Sequence, residues 1–158
     1  MKPVTHLSIA YLTAQALDAA GAPLNRRGLF LGCLLPDLDF LLLPFIPRIL
    51  SHRTAAHSLG WITLMAVLLR RRFGFKSVWL GGLTHLIADE LNSCDRRRGH
   101  WPRQMWLFPL DLGRRPWQRC LVDMGIIPGP QWFRVLVTEA PLVLAASWLA
   151  WKTRGSST

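Results

Sequence analysis

Two aspartates lie two residues apart inside an apolar stretch of the chain. Asp37 and Asp39 belong to the segment Leu34-Leu35-Pro36-Asp37-Leu38-Asp39, with apolar runs at 28–33 and 40–43 on either side. An unpaired carboxylate in apolar surroundings costs several kcal/mol, so it either takes up a proton or binds a cation. The pattern therefore predicts that other parts of the chain supply partners to these two carboxylates.

Four of the five histidines and a third aspartate are the candidate partners. His85 and Asp89 lie four residues apart in a predicted helix and share one face, which places an imidazole and a carboxylate one turn apart. The three cysteines form no Cys-x-x-Cys pair, which argues against a thiolate site. Histidine and carboxylate ligands suit a catalytic centre of one or two divalent ions, with zinc favoured. The ligand candidates are His6, Asp37, Asp39, His52, His57, His85 and Asp89.

Simpler interpretations of the same residues remain open at this point. Asp37 would serve equally as a helix N-cap, with Asp39 as an acid of the first turn. His85 and Asp89 would also fit an intrahelical hydrogen bond in a core. Arg53, which lies between two of the histidines, is either a clamp for a phosphate or carboxylate or a solvated or interfacial arginine.

The composition restricts the class of protein and its partners. The chain has 158 residues, of which 51% are hydrophobic and 8 are Trp, and its formal net charge is +10. The mean hydropathy is +0.23 and the pI about 11.2. A basic chain of this kind implies a negatively charged neighbour, which could be lipid headgroups, nucleic acid or a phosphorylated substrate. The aromatic and apolar content favours lipid among the three.

The hydrophobic pattern predicts an all-α, membrane-associated bundle of about five helices in a single domain over 1–158. Proline and glycine break these helices around the His/Asp site, and Gly81-Gly82 would let a second helix approach closely. The predicted apolar segments are 5–20, 28–35 with 40–43, 59–69, 76–92 and 133–151.

We expect three regions along the chain. Residues 1–94 form the metal-site core, 95–130 a basic interfacial segment rich in Trp and Pro, and 131–154 a C-terminal apolar helix. No uninterrupted apolar run reaches the roughly 18 residues of an unambiguous transmembrane helix. The best spanning candidate is 133–151, although Glu139 and Pro141 interrupt its first turns.

Four short motifs in a fixed order resemble one known family. They are Thr5-His6, Leu34-Leu35-Pro36-Asp37-Leu38-Asp39, His52-Arg53-Thr54-Ala55-Ala56-His57-Ser58 and Gly82-Leu83-Thr84-His85-Leu86-Ile87-Ala88-Asp89. Together they resemble the predicted membrane-bound, metal-dependent hydrolases called the YdjM or DUF457 family, and more distantly the all-α zinc-dependent phospholipase C class. The resemblance covers roughly residues 1–110 and implies a bacterial inner-membrane location. The basic run Asp95-Arg96-Arg97-Arg98 departs from the family pattern and leaves the choice of substrate open.

We therefore expect a membrane-bound hydrolase that acts on a phosphoester or other ester of a lipid or lipid-linked substrate. Asp39 would take the proton of the attacking water, and Arg53 would hold the anionic group. The alternative is a non-catalytic membrane protein with a structural His/Asp cluster and a basic docking surface. A third possibility, nucleic-acid binding through the arginine-rich segment, fits the charge but lacks a recognisable binding motif.

Overall fold

The computed structural model describes residues 3–38, 55–92 and 131–155. These ranges contain five α-helices and one short 3-10 helix, and no strand. The helices are α1 (Pro3–Ala19), α2 (Arg26–Leu34), the 3-10 helix (Leu35–Leu38), α3 (Leu59–Phe73), α4 (Phe75–Asn92) and α5 (Gln131–Gly155). The all-α prediction is confirmed, and α2 gives way to the 3-10 helix at Leu35, the residue before Pro36, where the sequence predicts a break.

Local signals account for the helix boundaries. The side chain of Asn25 accepts from the backbone N–H of Gly28 and caps α2, and Ser58 caps α3 by accepting from Trp61 at 3.1 Å. Gly74 ends α3 with a φ of 78°, a left-handed conformation that glycine adopts without a steric cost. Because that turn is so short, α3 and α4 fold back on each other as neighbours.

Helices α2 and α4 are in unusually close contact. A Cβ atom added at Gly81 would collide with the carbonyl oxygen of Leu29, and one added at Gly32 would collide with that of Val78. Since only glycine fits at these two crossings, the two backbones pack directly against each other. The close approach expected near Gly81 is therefore observed.

The helix directions bring four helix termini to one end of the bundle. Helices α2 and α4 are parallel. Gly28, near the start of α2, lies against Ser77 near the start of α4, and the carbonyl of Cys33, near the end of α2, meets His85 towards the end of α4. Helix α1 runs the opposite way, since the thiol of Cys33 bonds the carbonyl of His6 near its start. Helix α3 is antiparallel to α4. The starts of α1 and α3 and the ends of α2 and α4 therefore meet at one end.

The apolar core is small and lies between these helices. One buried cluster joins α1 to α2, and a second joins the 3-10 helix, α3 and α4; their members are Ala10, Ala14, Leu29 and Cys33, then Leu35, Ala66 and Val78. Many large apolar side chains face outward instead, mainly on α3 and α5, including Leu68, Leu144 and Trp151. The bundle thus buries little apolar surface and exposes a good deal of it.

None of the helices in the described ranges combines the length and the apolar character needed to cross a membrane. The prediction of a spanning segment at 133–151 therefore finds no support. Helix α5 contains Pro141 in its interior and the buried carboxylate of Glu139.

Candidate metal centre

Five of the predicted ligand residues meet at the end where the four helix termini converge. His6 lies in the first turn of α1, Asp37 in the 3-10 helix, His57 just before α3, and His85 and Asp89 one turn apart on α4. The three histidines are fully buried and Asp89 is 2% exposed. Asp37 is the most accessible of the five, with 15% of its side chain exposed.

The other predicted site residues, Asp39, His52 and Arg53, lie outside the described residues. Their roles remain predictions.

Three side-chain atoms lie close to the ring nitrogen Nε2 of His85. This nitrogen lies 3.3 Å from His57 Nε2, 3.6 Å from Asp37 Oδ1 and 3.7 Å from Asp89 Oδ2. His57 Nε2 is also 3.7 Å from each of the same two carboxylate oxygens. Zinc with bonds of about 2.0–2.1 Å requires ligand atoms about 3.3–3.4 Å apart at the corners of a tetrahedron. The three distances among His57, His85 and Asp37, at 3.3–3.7 Å, are close to that separation. Asp89 Oδ2 lies 3.7 Å from both imidazoles.

The backbone fixes which nitrogen of His85 faces the cluster. Nδ1 of His85 lies 2.7 Å from the carbonyl oxygen of Cys33, and a carbonyl only accepts hydrogen bonds. Nδ1 therefore carries the proton, and Nε2 presents a lone pair to His57, Asp37 and Asp89. This arrangement, in which a backbone carbonyl orients an imidazole, is typical of metal-binding histidines.

Burial also favours the form of His85 that binds metals. The pKa of His85 is lowered to about 3, mainly by burial. The neighbouring ring of His6 also lowers this pKa, and the carboxylate of Asp89 raises it by less. The His85 imidazole is therefore neutral at pH 7. A neutral imidazole is the ligand form.

Asp89 is the charged partner in the cluster. Burial by itself would raise the pKa of Asp89, but the contact with His6, whose Nε2 is 3.2 Å from Asp89 Oδ1, holds the pKa below its usual range. The carboxylate is therefore ionised. Its two oxygens face different histidines: Oδ1 faces His6 and Oδ2 faces His57 and His85.

His6 completes the cluster from the side of α1. Its ring stacks on that of His85, with centroids 3.8 Å apart and planes 15° from parallel. Its Nε2 lies 3.2 Å from Asp89 Oδ1, and within the described part of the chain its Nδ1 has no hydrogen-bond partner. The donor set and the tautomer of His85 fit a bound divalent ion.

The thiol of Cys33 lies near His6 and His85, close enough that the three could form a second ligand group. However, burial raises the pKa of Cys33 to about 12, and its Sγ bonds the carbonyl of His6 at 3.2 Å. In the absence of a metal ion the Cys33 thiol is therefore protonated and bonded to the backbone of His6.

Sequence reasoning missed two supporting residues. Cys33 acts through its backbone carbonyl and its S–H, and no side-chain pattern marks such a role. Glu139 of α5 accepts a buried hydrogen bond of 2.5 Å from Thr5, the residue before His6. A lone carboxylate in an apolar helix was the available signal, because such a group requires a partner.

The fold and the cluster together define an all-helical bundle with a buried His/Asp cluster at one end. The chain belongs to the YdjM inner membrane protein family, whose model matches residues 1–155. The predicted family and membrane location are thereby confirmed. No curated protein and no solved structure matches the chain.

Proposed function

We propose that this protein is a metal-dependent hydrolase of the inner membrane that uses the His/Asp cluster as its metal centre. The observation that carries the proposal is the convergence of Asp37, His57 and His85, whose ligand atoms lie within 4.8 Å of one another. The carboxylate oxygen Oδ2 of Asp89 lies 3.7 Å from Nε2 of both histidines. Zinc is the favoured ion because two imidazoles and two carboxylates form a donor set that it accepts.

The residues of the chain have separate tasks in this proposal. His57, His85, Asp37 and Asp89 would hold the ion, and His6 would orient Asp89 through the oxygen that faces away from His85. A bound divalent ion supplies Lewis acidity, which activates water and polarises a phosphoryl or acyl oxygen. Asp37 is the most exposed member of the cluster, so we expect the substrate to approach from its side.

Asp39 and Arg53 keep the roles assigned from the sequence. Asp39 is two residues beyond Asp37 and would take a proton from the attacking water. Arg53 is four residues before His57 and would hold the anionic part of the substrate with paired hydrogen bonds.

A lipid or lipid-linked ester is the proposed substrate. Membership of an inner membrane family gives the protein direct access to lipids. The net charge of +10 favours an anionic substrate, and exposed apolar side chains on α3 and α5 offer surfaces that tolerate acyl chains. A phospholipid phosphoester is both anionic and attached to acyl chains, so it fits these three features.

The direct test is metal-dependent hydrolysis by the full chain in detergent. The protein would be stripped with dipicolinate, reloaded with zinc or manganese, and assayed with bis(p-nitrophenyl) phosphate and with a short-chain phosphatidylglycerol. We expect activity only after reloading, its loss in Asp37→Asn, and its retention in Asp18→Asn, a control carboxylate paired with Arg26 away from the cluster. A fully metal-loaded protein that hydrolyses no phosphoester or carboxylic ester would refute the proposal.

A structural role for the cluster is the second candidate function. It is favoured by the complete burial of His6, His57 and His85; among the cluster residues that the structure describes, Asp37 alone is more than 2% exposed. In that case, mutation of a histidine or aspartate of the cluster would lower the unfolding temperature of the protein but leave its function in cells intact. The hydrolase proposal requires that function to be lost as well, in a variant that still folds.

A further inference from the structure

The end of the bundle remote from the His/Asp cluster is strongly basic. The last turn of α3 carries Arg70, Arg71 and Arg72, and the first turns of α2 and α4 carry Arg26, Arg27 and Lys76. All six side chains are exposed. Among the described helix termini at this end, the C-terminus of α1 is the only one with an acidic residue. That residue is Asp18, which forms an ion pair with Arg26. We call these six cations the basic end.

Contacts between the helices hold the basic end together. The backbone N–H of Asn25, at the start of α2, donates to the hydroxyl of Ser77 on α4 at 3.0 Å. Gly28 lies against the carbonyl of Phe73 at the end of α3. The three helix termini therefore form one surface, and its cations occupy fixed positions relative to one another.

Exposed apolar side chains lead along α3 into this surface. Leu64, Leu68 and Arg72 are spaced four residues apart and so lie on one face of the helix, as do Val67 and Arg71. Leu64 is 49% exposed, Val67 41% and Leu68 64%. An apolar stripe that ends in arginines matches a lipid interface, with acyl chains along the stripe and phosphates at its end. Nucleic acid would leave the stripe without a partner.

We propose that the basic end binds the headgroups of anionic phospholipids, with the α3 stripe against their acyl chains. The proposal concerns a different surface from the His/Asp cluster and does not depend on the proposed hydrolase reaction. Ser77 and His85 are eight residues apart on α4, so headgroup binding would hold the cluster about 12 Å along the helix from the headgroups.

The test is a lipid titration of the full chain in a neutral detergent, read as the shift in its unfolding temperature. The probes are dihexanoyl phosphatidylglycerol, dihexanoyl phosphatidylcholine, glycerol 3-phosphate and a 20-base-pair DNA duplex. Bound ligands raise the unfolding temperature of the protein that they bind. We expect phosphatidylglycerol to give the largest shift and added NaCl to reduce it, because exposed charges are screened by salt.

Two matched variants separate charge from folding. In Arg70→Gln/Arg71→Gln/Arg72→Gln/Lys76→Gln, the phosphatidylglycerol concentration for half-maximal shift should rise about tenfold or more. In Arg70→Lys/Arg71→Lys/Arg72→Lys, which keeps the charge, it should stay within about threefold of the wild-type value. The metal content of both variants should equal that of the wild type, which separates this test from that of the hydrolase.

Three results would overturn the proposal. They are equal shifts with the two lipids, a glutamine variant that keeps the wild-type preference for phosphatidylglycerol, and a larger shift with DNA or glycerol 3-phosphate than with phosphatidylglycerol. The DNA result would instead assign the basic end to nucleic acid.

Discussion

Nδ1 of His85 donates a hydrogen bond of 2.7 Å to the carbonyl oxygen of Cys33, and this bond ties α4 to α2 at the centre of the cluster. It fixes the tautomer of the imidazole and aims Nε2 at His57 and the two aspartates. The same Cys33 bonds the carbonyl of His6 through its thiol. One residue of α2 therefore positions histidines from two other helices.

The contact between α2 and α4 should be intolerant of a side chain at Gly81. In Gly81→Ala the new methyl group meets the backbone of Leu29, which cannot move aside alone. We expect a loss of about 1–3 kcal/mol in the free energy of unfolding, with reduced metal content because His85 is displaced from Cys33.

Gly82→Ala is the matched control on the same helix. Its methyl group meets the buried side chain of Ile62 and requires that side chain, but no backbone, to shift, so the loss of stability should be smaller than in Gly81→Ala. Denaturant unfolding in detergent compares the two variants. An equal cost at both positions would contradict the close backbone contact.

The thiol of Cys33 should be unreactive in the folded protein. Burial raises its pKa to about 12, so almost no thiolate exists at pH 8. In a Cys94→Ser/Cys120→Ser background, maleimide labelling should be negligible under native conditions and complete in denaturant. Rapid native labelling at pH 8 would show that Cys33 is an accessible thiolate.

The buried bond between α1 and α5 should depend on the hydroxyl of Thr5. Thr5→Val removes the donor to Glu139 while keeping the shape of the side chain, and we expect it to cost about 1–3 kcal/mol of stability. Thr5→Ser keeps the hydroxyl and should lose less. Thermal unfolding of both variants measures the difference. Equal losses of stability would show that the effect comes from side-chain packing and not from the hydrogen bond to Glu139.

Acid should destabilise the metal-free protein in the range where unfolded histidine titrates. The pKa of His85 falls from 6.5 to about 3 on folding, so between these values the unfolded state binds a proton that the folded state does not. Stability therefore falls as the pH drops below 6.5, by about 2 kcal/mol at pH 5 from this group alone. His85→Gln should show a correspondingly flatter dependence between pH 7 and pH 5, and an unchanged slope would contradict the assignment.

The helices, and the placement of His85 and Asp89 on one face of α4, were predictable because they follow from the local spacing of residues. His85 and Asp89 share a face wherever the segment is helical, and Pro36 breaks α2 because it cannot extend the helix. The sequence could not predict that the carbonyl of Cys33 would orient His85, because every residue carries the same carbonyl group.

The partner of Glu139 was equally beyond prediction from the sequence. The Thr5–Glu139 bond joins residues 134 positions apart, and only the packing of α5 on α1 determines which polar group meets that carboxylate. The requirement for some partner could be read from the sequence, but the identity of the partner could not.

The central claim is that the cluster holds a metal ion, and elemental analysis of the purified, detergent-solubilised protein tests it most directly. The wild type should contain about one zinc or other transition-metal ion per chain. A folded Asp37→Ala/His85→Ala variant should contain almost none, and Asp18→Asn should match the wild type. Absence of metal from the wild type after incubation with zinc or manganese, or wild-type metal content in the double variant, would contradict the account.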